Sequence, residues 1–112
     1  MNKEIRFYRT LKGEEPFIQW IKTIKDRKAI AQIQNRLERV LLGNYGDYKA
    51  VGGGIYELRI HYGPGYRLYF SEYENVIVLI LIGGIKGIQK RDILKTKEYW
   101  QDFKERIYEK QN

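Results

Sequence analysis

The sequence contains no cysteine. That excludes disulfide cross-links, thiolate metal sites and a cysteine nucleophile, and it suits a reducing compartment without requiring one. Histidine occurs once, as His61, and serine once, as Ser71. A zinc site ordinarily needs several histidine or cysteine ligands, so no metal is expected. A Ser-His-Asp triad would have to join Ser71 to His61, and neither neighbourhood offers the sharp elbow that presents such a serine. Long apolar runs are missing as well. The longest, Val76 to Ile82, falls far short of the roughly 20 residues that span a bilayer. Residues Met1 to Thr10 lack the apolar stretch of a signal peptide, so a cytoplasmic location with no membrane partner is expected. Acidic residues are in deficit: 14 Asp and Glu stand against 21 Lys and Arg, a net charge of +7. A chain this basic attracts nucleic acid, anionic lipid or an acidic protein.

What is present suits one folded domain. The chain has 112 residues, 43% of them hydrophobic and 14% aromatic, which is the size and composition of a single core. Ile5 and Phe7 alternate with polar neighbours, predicting a strand over 4–8. Glu15-Pro16 starts a helix, with proline where its missing N–H costs nothing. Phe17, Trp20, Ile21 and Ile24 follow at helical spacing and read as core. Asp26 caps a second helix whose apolar stripe runs from Ile30 through Ile33, Leu37 and Val40 to Leu41, ending near Gly43. Five glycines between 43 and 54 predict a loop. Two alternating strands follow, Ile55–His61 and Tyr66–Phe70, joined by a tight turn at 62–65. After a turn at 71–75, Val76–Ile82 reads as a strand buried on both faces, ended by Gly83-Gly84. A C-terminal helix over about 90–110 carries Ile93, Trp100, Phe103 and Ile107 on one stripe. The order β-α-α-β-β-β-α predicts an α+β domain, with helices on one sheet face and the other face open.

Alternation assigns side chains to those faces. Tyr56, Leu58 and Ile60 point one way, and Glu57, Arg59 and His61 the other. Tyr66, Leu68 and Phe70 likewise oppose Arg67 and Tyr69. The apolar sets suit the helices. The polar sets then form a basic, aromatic patch of Arg59, His61, Arg67 and Tyr69, with Lys86 emerging at the same end of the sheet. Cations bind phosphate and rings stack on unpaired bases, so the patch suits RNA. It also suits metal-free phosphodiester cleavage by a ribose 2′-hydroxyl. Arginine and lysine neutralise the developing charge, and histidine or a carboxylate moves protons. The plainer alternative is a solvated charged face, with His61 merely a surface histidine and Glu57 a salt-bridge partner of Arg59 or Arg67. Gly52-Gly53-Gly54 precedes a strand rather than a helix and lacks the Lys-Ser/Thr of a phosphate-binding loop.

The segment Glu57-Leu-Arg-Ile-His-Tyr-Gly-Pro-Gly-Tyr-Arg67, with its flanks from Leu42 to Phe70, resembles the addiction-module killer proteins. These are phage-type, HigB-like toxins of the RelE/ParE superfamily. Leu81-Ile-Gly-Gly-Ile-Lys-Gly-Ile-Gln-Lys-Arg-Asp-Ile93 resembles a second stretch of that family, and the likeness covers nearly the whole chain.

The resemblance implies a small RelE-like domain with a curved antiparallel sheet, and a toxin of a type II toxin–antitoxin pair. It implies a metal-independent, ribosome-dependent mRNA endonuclease that needs no cofactor. The ribosome and mRNA are then partners, together with a cognate helix-turn-helix antitoxin, and operator DNA is reached only through the toxin–antitoxin complex. Arg67 falls on the transition-state-stabilising arginine, Arg59 on the basic residue ending the preceding strand, and Lys86 near the basic residue after the last strand. His61 and Asp92 become the candidate proton-transfer groups. Tyr62, Tyr66, Tyr69, Lys90 and Arg91 are the candidates for holding RNA. Two lysines of RelE itself are replaced by Ile55 and Glu57, and its C-terminal tyrosine has no counterpart. That departure favours the alternative of a non-enzymatic, ParE-like toxin that inhibits DNA gyrase by binding it. A bare RNA- or DNA-binding module without toxicity is a third alternative.

Overall fold

The computed structural model describes residues 2–111. Five strands and three helices follow in the order β1 (Glu4–Phe7), α1 (Pro16–Ile21), α2 (Arg27–Leu41), β2 (Tyr48–Gly52), β3 (Ile55–Ile60), β4 (Tyr66–Tyr73), β5 (Ile77–Ile85) and α3 (Gln89–Gln111). They build an α+β domain around one sheet with strand order β1-β5-β4-β3-β2.

The local rules account for most of these elements. The Asp26 carboxylate accepts from the backbone N–H groups of Lys28 and Ala29, capping α2. Pro16 opens α1, which stops at Ile21, short of the expected Ile24. The stretch expected as a loop holds β2, which pairs antiparallel with β3 across a turn at Gly52–Gly54. All three glycines there have positive φ, so the hairpin reverses where side chains would be strained.

The sheet is mixed rather than wholly antiparallel: β1 pairs parallel with β5, Phe7 opposite Ile80. β5 also runs on through Gly83 and Gly84, which were expected to end it.

The expectation of one open face is overturned. Helices α1 and α2 cover the face of Leu58, Leu68, Phe70, Val78 and Ile80, with Phe17 and Ile33 at its centre. The face expected to lie open is covered by α3, whose Ile93, Trp100 and Phe103 pack on Ile55, Tyr69, Leu79 and Leu81. The physical reason is the apolar stripe of α3, which has to bury itself, and a second apolar sheet surface is there to receive it. Tyr8 ties the far end of α3 down: its hydroxyl donates to Asp102, and Arg106 donates to the Arg9 carbonyl at 2.6 Å.

A bulge in β5 decides which side chains face α3. The register with β4 slips between Tyr69 and Phe70, leaving Leu81 as the extra residue. Leu81 and Ile82 therefore both serve the α3 side, and the alternation beyond them is inverted. Gly84 now faces Asp92 on α3, while Gly83 faces Trp20 on α1.

Candidate functional site

Arg59 and Arg67 are direct cross-strand partners and lie on the α3 side, as alternation predicts. Glu57, one pleat along, is buried between them. Its carboxylate accepts from Arg59 Nε at 3.0 Å and from the Tyr69 hydroxyl at 3.0 Å, and lies 3.9 Å from Arg67 Nε. Burial first, and then the adjacent Glu57 carboxylate, push the Tyr69 hydroxyl far above its ordinary value. Tyr69 is thus a permanent donor to Glu57, and it is fully buried. It does not present a ring to RNA, which corrects its expected role.

Arg67 is buried beneath the start of α3, only 5% exposed. Its Nη1 donates to the Tyr66 carbonyl at 3.1 Å, and its Nε has no hydrogen-bond partner. Arg59 keeps partial access to solvent. Beyond it stands His61, which is exposed and hydrogen-bonded through Nε2 to Asp47 Oδ2 at 2.5 Å. That bond holds the Asp47 carboxyl below the usual carboxylate range. The bond engages the Nε2 edge of the ring.

Asp47 escaped the sequence reading. It lies in the glycine-rich stretch, and only folding brings it to His61: its carbonyl accepts from Arg59 N–H at 2.9 Å. Arg36, also unforeseen, braces this corner from α2. It donates to the carbonyls of Arg59, Tyr45 and Asp47.

Asp92 lies across Arg67 from His61. Arg67 pairs in register with Gly84, and the Asp92 carboxyl rests on Gly84, where a Cβ would lie 1.9 Å from Oδ2. Asp92 is buried and its Oδ2 has no hydrogen-bond partner. Burial raises its pKa, and Arg91, whose Nε is 3.8 Å from Oδ1, opposes that only in part. Lys86 is exposed at the same end of the sheet. A Cβ on Gly65 would touch both Lys86 Cβ (3.2 Å) and Arg67 Nη1 (3.6 Å). The row across the strands is therefore Arg59, Arg67, then Asp92 over Gly84, with His61 just past the end of β3 and Lys86 just past the end of β5.

The expected RNA-holding residues separate. Lys90 and Arg91 are exposed in the first turn of α3. Tyr62 is half-buried, and its hydroxyl donates to Asp26 Oδ2 at 3.0 Å. Tyr66 belongs to the core on the opposite face, with its ring edge toward Trp20. No helix among the described residues is long and apolar enough to cross a membrane.

No family model matches the chain. It is 43% identical over 87 residues to an uncharacterized protein of Haemophilus influenzae, an alignment that covers 78% of this chain and 88% of that protein.

Proposed function

This chain belongs to the same family as the Haemophilus influenzae protein, and we propose that it is an RNA-cleaving toxin of the RelE/ParE type, HigB-like branch. In this reading it is a metal-independent, ribosome-dependent mRNA endonuclease, restrained by a cognate helix-turn-helix antitoxin. The observation that carries the reading is the pairing of Arg59 with Arg67 on one face, beside a histidine oriented by a carboxylate. His61 takes the proton from the ribose 2′-hydroxyl, and Asp47 stabilises the cation that results. As the 2′-oxygen bonds to phosphorus and the bond to the 5′-oxygen breaks, Arg59 and Arg67 face the charge that grows on the phosphate oxygens, and the 5′-oxygen leaves beside Lys86, taking its proton from water. Glu57 holds the two arginines together until a phosphate competes for them.

The burial of Arg67 favours a second reading, the ParE-like toxin that binds gyrase without cutting anything. Mapping mRNA 5′ ends after induction separates the two. New cuts within translated codons support cleavage, whereas intact messages with accumulating DNA breaks support gyrase inhibition. On the cleavage reading, His61→Ala and Arg59→Ala lower cutting about 10²–10⁴-fold. Both side chains reach solvent, so the variants should fold. Folded variants that cut messages like the parent would show that the site is misassigned.

A further inference from the structure

β1 covers only the first half of β5. Phe7 is the last residue paired, opposite Ile80, and Tyr8 N–H makes the final bond to the Ile80 carbonyl at 2.9 Å. Beyond that point this edge of β5 faces a cleft of about 820 Å³ between α1 and the start of α3. The direction of the edge groups follows from the ladder. Lys86 N–H donates to the Gly65 carbonyl, and ladder bonds recur at every second residue. Gly84 therefore turns its peptide groups toward β4, and Gly83 turns its N–H and C=O into the cleft.

Three further features converge there. Trp20 packs its ring against Gly83, with ring atoms 2.1–2.6 Å from where a Cβ would stand. Its neighbour Tyr66 adds a second ring, with centroids 6.0 Å apart. The wall opposite carries Asp92, a buried carboxyl whose Oδ2 has no donor. Lys25 and Arg91 stand at the rim. A buried acceptor without a donor costs free energy that an incoming N–H group would recover. A backbone edge with one free N–H and one free C=O matches the paired donor and acceptor edge of a nucleobase. Flat rings are what unpaired bases stack on.

Resting on the RNA-cleaving reading, we propose that this cleft receives one unpaired base of the substrate strand, next to the phosphate held by Arg59 and Arg67, and that Asp92 selects a base bearing an exocyclic amino group. Gly84 ties the two sites together, since it is at once the register partner of Arg67 and the floor under Asp92. A phosphate over the Arg59–Arg67 pair lies one to two strand spacings from the edge at Gly83, roughly 5–10 Å. Adenine and cytosine each offer an amino donor beside a ring-nitrogen acceptor. Their amino group has two hydrogens, one for the Gly83 carbonyl and one for Asp92, whereas the single N3–H of uracil is used on Gly83 and leaves none for Asp92.

The test uses the whole protein and short 2′-O-methyl oligonucleotides, which bind but cannot be cut. Oligo-A and oligo-C should bind about tenfold more tightly than oligo-U, the size expected for one buried hydrogen bond made or missed. The Gly83 amide and Trp20 indole resonances should shift on binding. Asp92→Asn, checked for folding by its melt, should shrink the preference, because an amide can serve either kind of base. Arg67→Ala should weaken all three oligonucleotides alike. Equal binding of the three by the parent protein overturns the proposal. So does a preference that survives Asp92→Asn, or a cleft that ignores oligonucleotides and takes an extended peptide onto the Gly83 edge. Failure of the cleavage reading looks different: base preference persists while induced cells contain no cut messages.

Discussion

Asp92 is a carboxyl in the wrong surroundings for a carboxylate. It is buried, one oxygen lacks a donor, and burial raises its pKa. Well below the ordinary carboxylate range the group is neutral in both the folded and the unfolded chain and contributes nothing to pH dependence. As pH rises past that range the unfolded chain releases the proton first, while the folded chain still holds it. The folded state then binds more protons, so stability falls with rising pH until the folded-state pKa is passed, and the deficit stays thereafter. Asp92→Asn removes that deficit. The variant should melt above the parent near neutral pH, and the difference should vanish as the pH is lowered below the ordinary carboxylate range. Thermal melts across that range check it. A variant that melts at or below the parent at neutral pH would mean that Asp92 has a stabilising partner. A residue kept at a cost to the fold is a residue to examine for function.

At the scale of the elements, a bulge and two glycines let one strand serve helices on both faces of the sheet. Gly83-Gly84 interrupts an apolar run and predicts the end of a strand, yet both residues lie within β5. Their lack of side chains lets α1 and α3 approach the same strand from opposite faces: Trp20 occupies the space of one missing Cβ, Asp92 that of the other. Gly83→Ala drives a methyl group into the Trp20 ring and should cost about 1–3 kcal/mol, the usual penalty for overpacking. Urea unfolding measures it. The combination with Trp20→Leu should recover part of the loss, since contacting residues are not additive. Full additivity would mean that the strain lies elsewhere. The alternation of β3 and β4 was legible because their faces differ in polarity, and it put Arg59 and Arg67 on one face, where they are register partners. The covering of that face by α3 was also written in the sequence. Val76–Ile82 reads as apolar on both sides, and a strand of that kind needs a cover on each. β2 was hidden because it is a short edge strand between glycines, with one polar or exposed residue after another. Asp47 was hidden because its place beside His61 depends on a contact across 14 residues, which no local spacing encodes.

At the scale of the whole molecule, the proposed RNA partner rests on charge. The chain carries +7, and several of its cations are already neutralised away from the site: Arg6 by Glu4, Arg106 by Asp102, Lys95 by Glu98. The excess is felt elsewhere, including the end of the sheet where Lys86, Lys90 and Arg91 stand exposed around the cleft and the arginine pair. A single strand that lies along this end displaces its own counterions, so affinity should fall with salt by about 0.7 log units per log unit of salt for each phosphate engaged. Replacing Lys86 and Lys90 together with alanine should reduce that slope by about 1.4, twice the value for one phosphate contact. It should leave the preference among bases unchanged, because neither lysine reaches the Asp92 carboxyl. Titrations of 2′-O-methyl oligonucleotides at several salt concentrations give both quantities from one data set. An unchanged slope would mean that the strand avoids this end of the sheet, and the arginine pair would then have to meet some other anion. A reduced slope with base preference intact would separate the two parts of the surface physically: cations at the rim that hold any strand, and an uncovered strand edge behind them that reads one base.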